Sequence, residues 1–200
     1  MSTIAAPFGL RPVGNLSGTF NDSFRQYPIL SSESTMICFG DAVKLTDAGA
    51  TTTIQKDTGT TSLTPIGIFM GVRYTDLSTG QTQFSQVWSG AAHTNGMVYV
   101  NDDPNLLFEI QADGAVNNDD LAANCAVVQG TSNATLGISR VSLDISTAAT
   151  TAALPIRIVD WKGGYDGDEY GTAYPIMLCK WNTGHQLGIG VVSGAAPSAA

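Results

Sequence analysis

The chain has 200 residues, enough for one sizeable core or two small ones, and its 43% hydrophobic content excludes disorder throughout. Charged residues make up only 13%, about half the usual share, while Gly, Thr, Ser, Asn and Ala are plentiful, a mix that favours strands joined by many turns. The net charge is −8, and no Lys or Arg lies between Arg73 and Arg140, so the clustered cations of a phosphate-binding surface are missing and the composition argues against nucleic-acid binding.

Residues 1–25 lack strong periodicity. Pro7, Gly9, Pro12, Gly14 and Gly18 interrupt the apolar Phe8, Leu10, Val13, Leu16 and Phe20, which reads as an extended N-terminal arm. Such an arm has three destinations: a groove or sheet edge on a partner, a frayed terminus, or an edge position on its own sheet. From residue 26 to 192 a β-rich body follows, with strands predicted at 27–30, 35–39, 42–45, 65–74 and 83–88. Asp47, Ala48, Gly49 and the Thr-rich 51–62 read as a turn and a polar loop or short ribbon.

Residues 97–114 are the most informative. Val98 and Val100 alternate with Tyr99 and Asn101, and Phe108, Ile110 and Ala112 alternate with Glu109, Gln111 and Asp113, the two-residue period of half-buried strands. Asn101, Asp102, Asp103, Pro104 and Asn105 form the turn between them. The expectation is a hairpin on an acidic, solvated face. Asx caps and two acids in 117–124 predict one short helix. Strands resume at 126–129, 138–145, 154–161 and 174–181, and 193–200 is a small-residue tail. The fold class is therefore all-β, a sandwich or barrel-like body of many short antiparallel strands with an extended arm and at most one short helix. Two small β subdomains, with a break near 115–125 or 146–153, are the variant of that reading.

No catalytic, cofactor-binding or metal-binding residue is assigned. His93 and His185 are the only histidines, both among turn residues, and there is no Gly-x-Ser-x-Gly elbow, phosphate-binding Gly loop or Cys-x-x-Cys. Asp166, Asp168 and Glu169 on a Gly-rich loop are the residue types that hold Ca²⁺, but the spacing fails the EF-hand pattern, and a solvated loop is the other reading. Asp102 and Asp103, before Pro104, are better turn formers than an acid/base pair. Trp88, Trp161 and Trp181 end strands and read as core or subunit-interface anchors; with Tyr165, Tyr170 and Tyr174 they also suggest a sugar-stacking platform.

Cys38, Cys125 and Cys179 sit in apolar sequence and read as small buried thiols. The start, Met-Ser-Thr-Ile-Ala-Ala-Pro-Phe, has no basic region or long apolar run, so neither a signal peptide nor a membrane span is expected. Folding in a reducing cytoplasm follows, and the Asn-x-Ser/Thr triplets at Asn15, Asn21 and Asn133 then carry no glycosylation meaning.

Several segments also carry a family resemblance. They are Ala6-Pro7-Phe8-Gly9-Leu10-Arg11-Pro12-Val13, Gly40-Asp41-Ala42-Val43-Lys44-Leu45 and Pro65-Ile66-Gly67-Ile68-Phe69-Met70-Gly71-Val72-Arg73-Tyr74. Asp102-Asp103-Pro104 with Phe108-Glu109-Ile110-Gln111-Ala112-Asp113-Gly114, and Gly137-Ile138-Ser139, complete the set. In order and spacing they resemble head structural proteins of tailed bacteriophages of the decoration, or capsid cement, type. The resemblance implies a non-enzymatic virion protein, a homotrimer without cofactor, on the outer surface of an icosahedral head. Its partners would be the major capsid protein and itself, with no nucleic acid and no membrane. Phe8, Leu10, Arg11, Pro12 and Val13 are then the expected capsid-binding arm. A carbohydrate-binding module and a head-fibre or tail component are the alternatives.

Overall fold

The computed structural model describes residues 3–16, 18, 24–47, 52–90, 93–133 and 135–182; the run 188–192, the tail 193–200, Asn21 and His185 lie outside these residues. The strands are β1 (Arg11–Asn15), β2 (Phe24–Ile29), β3 (Ile37–Cys38), β4 (Ala42–Asp47), β5 (Thr52–Lys56), β6 (Gly67–Asp76) and β7 (Thr82–Ser85). They continue as β8 (Val87–Trp88), β9 (His93–Asn101), β10 (Leu106–Gln111), β11 (Asn124–Val128), β12 (Ser142–Ala149), β13 (Ile156–Trp161) and β14 (Ile176–Trp181). The expected all-β class is what the chain adopts, and every ladder between these strands is antiparallel.

One sheet has six strands in the order β1-β10-β14-β13-β11-β12. Its alternation is regular in the centre. Phe108 and Ile110 on β10, Met177, Cys179 and Trp181 on β14, and Ile156 and Ile158 on β13 point to one side and form the first core with Leu10, Cys125, Val127 and Leu143. A second sheet runs β2-β9-β6-β4-β5, with β7 added to β6, and its two ends, β2 and β5, approach each other, so it curls toward a barrel. It encloses the second core: Ile29, Ile37, Val43, Ile54, Phe69, Val72, Trp88, Val98 and Val100. β6 serves both cores, with Ile68 packed in the first and Phe69 in the second. A register shift between Phe69 and Gly71 adds the residue that lets Phe69 and Val72 share one side.

The segment 97–114 is a strand, a turn and a strand, but not a hairpin. β9 pairs with β2 and β6, whereas β10 pairs with β1 and β14, so the chain crosses from one sheet to the other at 101–106. Alternation reports that a strand has one buried face; it does not report which strand lies beside it. The turn is also not a solvated acidic tip. Asp102 is buried, accepting the Tyr27 hydroxyl proton at 2.7 Å on Oδ2 and lying 3.3 Å from Arg25. Asp103 accepts from the Asn105 amide at 2.8 Å and from Asn15 Nδ2 at 3.2 Å. The two carboxylates thus tie the crossing to β2 and to β1.

The segments 115–125 and 146–153 do not separate the cores, since both belong to the first sheet and its connections. The expected helix is a single 3-10 turn, Asn118–Asp120. Asn117 caps it and the Asp120 carboxylate accepts the Asn117 amide at 2.8 Å, but Leu121 is already extended and Ala122 has φ +62. The chain must straighten by Asn124 to enter β11. Cys38, Cys125 and Cys179 are buried free thiols, as expected.

The crossing leaves no room for a side chain at Gly67. A Cβ there would overlap the Asn101 carbonyl oxygen, which belongs to the partner strand's backbone and cannot swing aside. Gly67→Ala is expected to lower the stability by about 2 kcal/mol or more, and Asp102→Ala by about 2 kcal/mol through the lost charged hydrogen bond. Urea midpoints of both variants against the parent check this.

Candidate docking surface

The described part of the first 25 residues takes the edge position on its own sheet. β1 pairs with β10 at the edge of the chain's own sheet. Leu10 is fully buried in the first core and its amide donates to the Gly40 carbonyl at 2.9 Å. Gly9, at φ +78, makes that approach possible, because a Cβ would meet Ser139 Cβ at 2.5 Å. Leu10 therefore anchors the segment to its own fold and is not available to a partner. Burying such a side chain contributes roughly 1.5–3 kcal/mol.

Upstream, residues 4–8 cross the outer side of the sheet. The Ala6 amide donates to Gln111 Oε1 at 2.8 Å and Gln111 Nε2 donates to the Ile4 carbonyl at 3.1 Å. The Arg11 guanidinium lies 4.5 Å from the Phe8 ring centre and 3.7 Å from Glu109, which Lys162 also approaches at 3.3 Å. Phe8 and Pro12 are half-buried. What the segment leaves exposed is Leu16 (51%), Val13 (40%) and the Arg11 side chain (50%) on and just after β1, and Ile4 (74%) farther along, by Gln111. Ile4 and Leu16 extend the sequence-derived set; Leu16 was legible as an apolar arm residue, whereas no periodicity marked Ile4.

The tryptophans are not surface residues. Trp88, Trp161 and Trp181 are at most 3% exposed, which corrects the interface and glycan readings for all three and leaves them as core residues. Tyr165 and Tyr170 cover Trp161 with edge-on rings 6.2 and 5.0 Å away, and remain half-exposed with their own ring centres 4.4 Å apart.

In the neighbouring loop Asp166 and Asp168 are exposed, but Glu169 is buried and accepts the Ile176 amide at 3.0 Å. Its role is to hold β14. Among the described residues no group of three or more His, Cys, Asp or Glu has an arrangement suited to a metal ion. His93 is not a turn residue: it opens β9, is buried, stacks on Tyr74 at 3.8 Å, and its Nε2 lies 2.9 Å from Ser89 Oγ. Its Nδ1 is buried without a hydrogen-bond partner among the described residues, so within them this Ser–His pair lacks the carboxylate that orients a catalytic imidazole. No helix among the described residues is long and apolar enough to cross a membrane.

Compared with protein-family models, curated proteins and solved structures, the chain matches none.

The Tyr27–Asp102 bond has a pH signature. Burial first, then the bond to Asp102 and that carboxylate's charge, push the Tyr27 phenol from 10.0 to about 12. The folded state holds this proton more tightly than the unfolded state. The stabilisation is complete below about pH 10 and is lost as pH rises through about 12. Burial pushes Cys125 up in the same sense, so the informative quantity is the difference between parent and Tyr27→Phe. The parent is expected to lose more stability than Tyr27→Phe between about pH 9 and about pH 11, measured by urea midpoints.

Proposed function

We propose that the protein is a non-enzymatic virion structural protein that binds the outer surface of an icosahedral phage head and stabilises it, as a decoration or cement protein. The observation that carries the reading is the apolar open edge at β1. Val13 and Leu16 stand exposed on and just after β1, a strand paired on one side only among the described residues, and Ile4 stands exposed farther along, where the segment meets Gln111, a layout suited to strand addition and groove filling on a shell protein. Val13 belongs to the segment that carries the family wording. The partners in this reading are the major capsid protein and further copies of the chain as a homotrimer. It works on the virion exterior after folding in the host cytoplasm. The scarcity of Lys and Arg suits a protein that does not meet packaged DNA.

Deleting residues 1–20 would also remove Leu10 from the core, so exposed positions give the cleaner test. The triple variant Ile4→Asp, Val13→Asp, Leu16→Asp is expected to keep its urea midpoint within about 1 kcal/mol of the parent, as surface changes do. Its occupancy on purified heads lacking the protein should fall by about tenfold or more, read by quantitative gel densitometry of sedimented particles. Normal occupancy would sink the assignment. Hundreds of copies per particle mark decoration, and tens or fewer a fibre or tail part.

One observation favours a second reading, a glycan-binding module. Tyr165 and Tyr170 form an exposed pair of rings beside Asp166 and Asp168. A glycan array decides it: hits that vanish in Tyr165→Ala, Tyr170→Ala support it, and an array without hits removes it.

A further inference from the structure

The outer side of the six-stranded sheet carries a charge arrangement that the single chain leaves unresolved. Arg157 on β13 and Lys180 on β14 are direct cross-strand partners, flanked in the same ladders by Ile156 with Trp181 and by Ile158 with Cys179. Those four flanking side chains lie in the first core, so Arg157 and Lys180 project together from the opposite side. Both are half-buried, and neither makes an ion pair among the described residues. Like charges directly opposite across a ladder are destabilising.

Their surroundings do not relieve this. Leu107 on β10 pairs with Lys180, and Leu178, Ile176 and Val159 stand half-buried nearby. Four cations, Arg11, Arg157, Lys162 and Lys180, share this side with two carboxylates, Glu109 and Asp160. Glu109 is engaged by both Arg11 and Lys162, which among the described residues leaves Asp160 as the one carboxylate on this side against Arg157 and Lys180. Residues 183–200 contain no Asp or Glu, so their side chains bring nothing to neutralise the pair.

The same chain holds the complementary charge elsewhere. Beyond the β12 edge of this sheet, Asp113 accepts the Ile145 amide at 3.0 Å next to Asp144, and Asp119 and Asp120 occupy the 3-10 turn before β11. Burial first, then the charges of Asp120, Asp144 and Asp113, push up the Cys125 thiol, so these three carboxylates lie within reach of one point. We infer that the outer face around Arg157 and Lys180 is the docking site for a second copy of this chain, which presents its Asp113, Asp119, Asp120 and Asp144 edge to it. The aliphatic Leu107, Leu178, Ile176 and Val159 supply the apolar part of the contact.

Because the two surfaces differ, the contact is head-to-tail and closes into a ring or runs on as a filament; it is not a two-fold dimer. Six strands span only about 24 Å, so the interface belongs to the small, weak class and its assembly depends on concentration and salt. The inference specifies the faces of the self-association named under the proposed function, and its test needs no phage head, so a failure on heads and a failure here are separate results.

The experiment is sedimentation velocity on the full chain with two neutralised variants, Arg157→Gln with Lys180→Gln, and Asp119→Asn with Asp120→Asn. The parent is expected to self-associate at about 100 µM protein and to weaken by about tenfold or more in about 0.5 M salt. Each variant alone should be monomeric. Mixed, each keeps the face the other lacks, so they should form a 1:1 heterodimer and nothing larger. Far-UV circular dichroism separates loss of contact from loss of fold, and Arg157→Lys should retain association if charge is what matters. A monomeric parent, salt-independent association, or unchanged association of the Arg157→Gln, Lys180→Gln variant with native circular dichroism would each overturn the inference.

Discussion

The carboxylates of Asp102 and Asp103 hold the point at which the chain leaves one sheet for the other, and both sheets lean on that point. Asp102 receives the Tyr27 hydroxyl from β2 while Asp103 receives the Asn15 amide group from β1. β2 is an end strand of the second sheet and β1 an end strand of the first. The edges of two separate sheets are therefore fastened to one five-residue corner. The cost of the arrangement is visible beside it. Asn101 is fully buried with its side-chain Nδ2 unpaired among the described residues, and Gly67 gives up a side chain to let its carbonyl pass. A buried polar group without a partner costs about 1–3 kcal/mol, which is tolerable only where neighbouring bonds over-determine the geometry.

Strand existence was legible from alternation, and strand partnership was not. Phe108 with Ile110, and Ile156 with Ile158, declare a buried face in the sequence, and both lie in the first core. Nothing in that period says that β9 and β10 belong to different sheets, because a five-residue turn and a five-residue crossing use the same Asn, Asp and Pro. β1 was harder still. Pro12 and Gly14 hide its alternation, and its register with β10 does shift between them. What placed it was the burial of Leu10, a tertiary fact with no local signal. β5, in the Thr-rich stretch, shows the milder case in which the short-ribbon reading describes what forms.

The acidic composition also divides in a way that a count of charges does not reveal. Asp41 accepts the Cys38 amide at 2.8 Å and Lys56 Nζ at 2.9 Å, and Asp57 accepts the Gly59 and Thr64 amides. With Asp102, Glu109 and Glu169, these buried carboxylates act as struts, each matched by a cation, a hydroxyl or backbone N–H groups. Once they are set apart, Asp113, Asp119, Asp120 and Asp144 form one group and Asp166 with Asp168 another, while Arg157 and Lys180 stand on the outer side of the first sheet without an ion pair among the described residues. The molecule is polarised, although its sequence reads as uniformly acidic.

That polarity and the open β1 edge act in different directions. Strand addition to β1 extends the six-stranded sheet within its own plane, through backbone N–H and C=O groups. Docking against Arg157 and Lys180 uses side chains that stand perpendicular to that plane. The two contacts are therefore not competitors for the same atoms. Residues 4–8 lie where they come closest, since they cross the outer side at Gln111 while β1 continues from them at the edge. Arg11 joins the two regions, with its ring contact to Phe8 on one hand and its carboxylate contact to Glu109 on the other. An assembly that used both surfaces would place a copy on the face and a shell strand at the edge, with the N-terminal segment clamped between them.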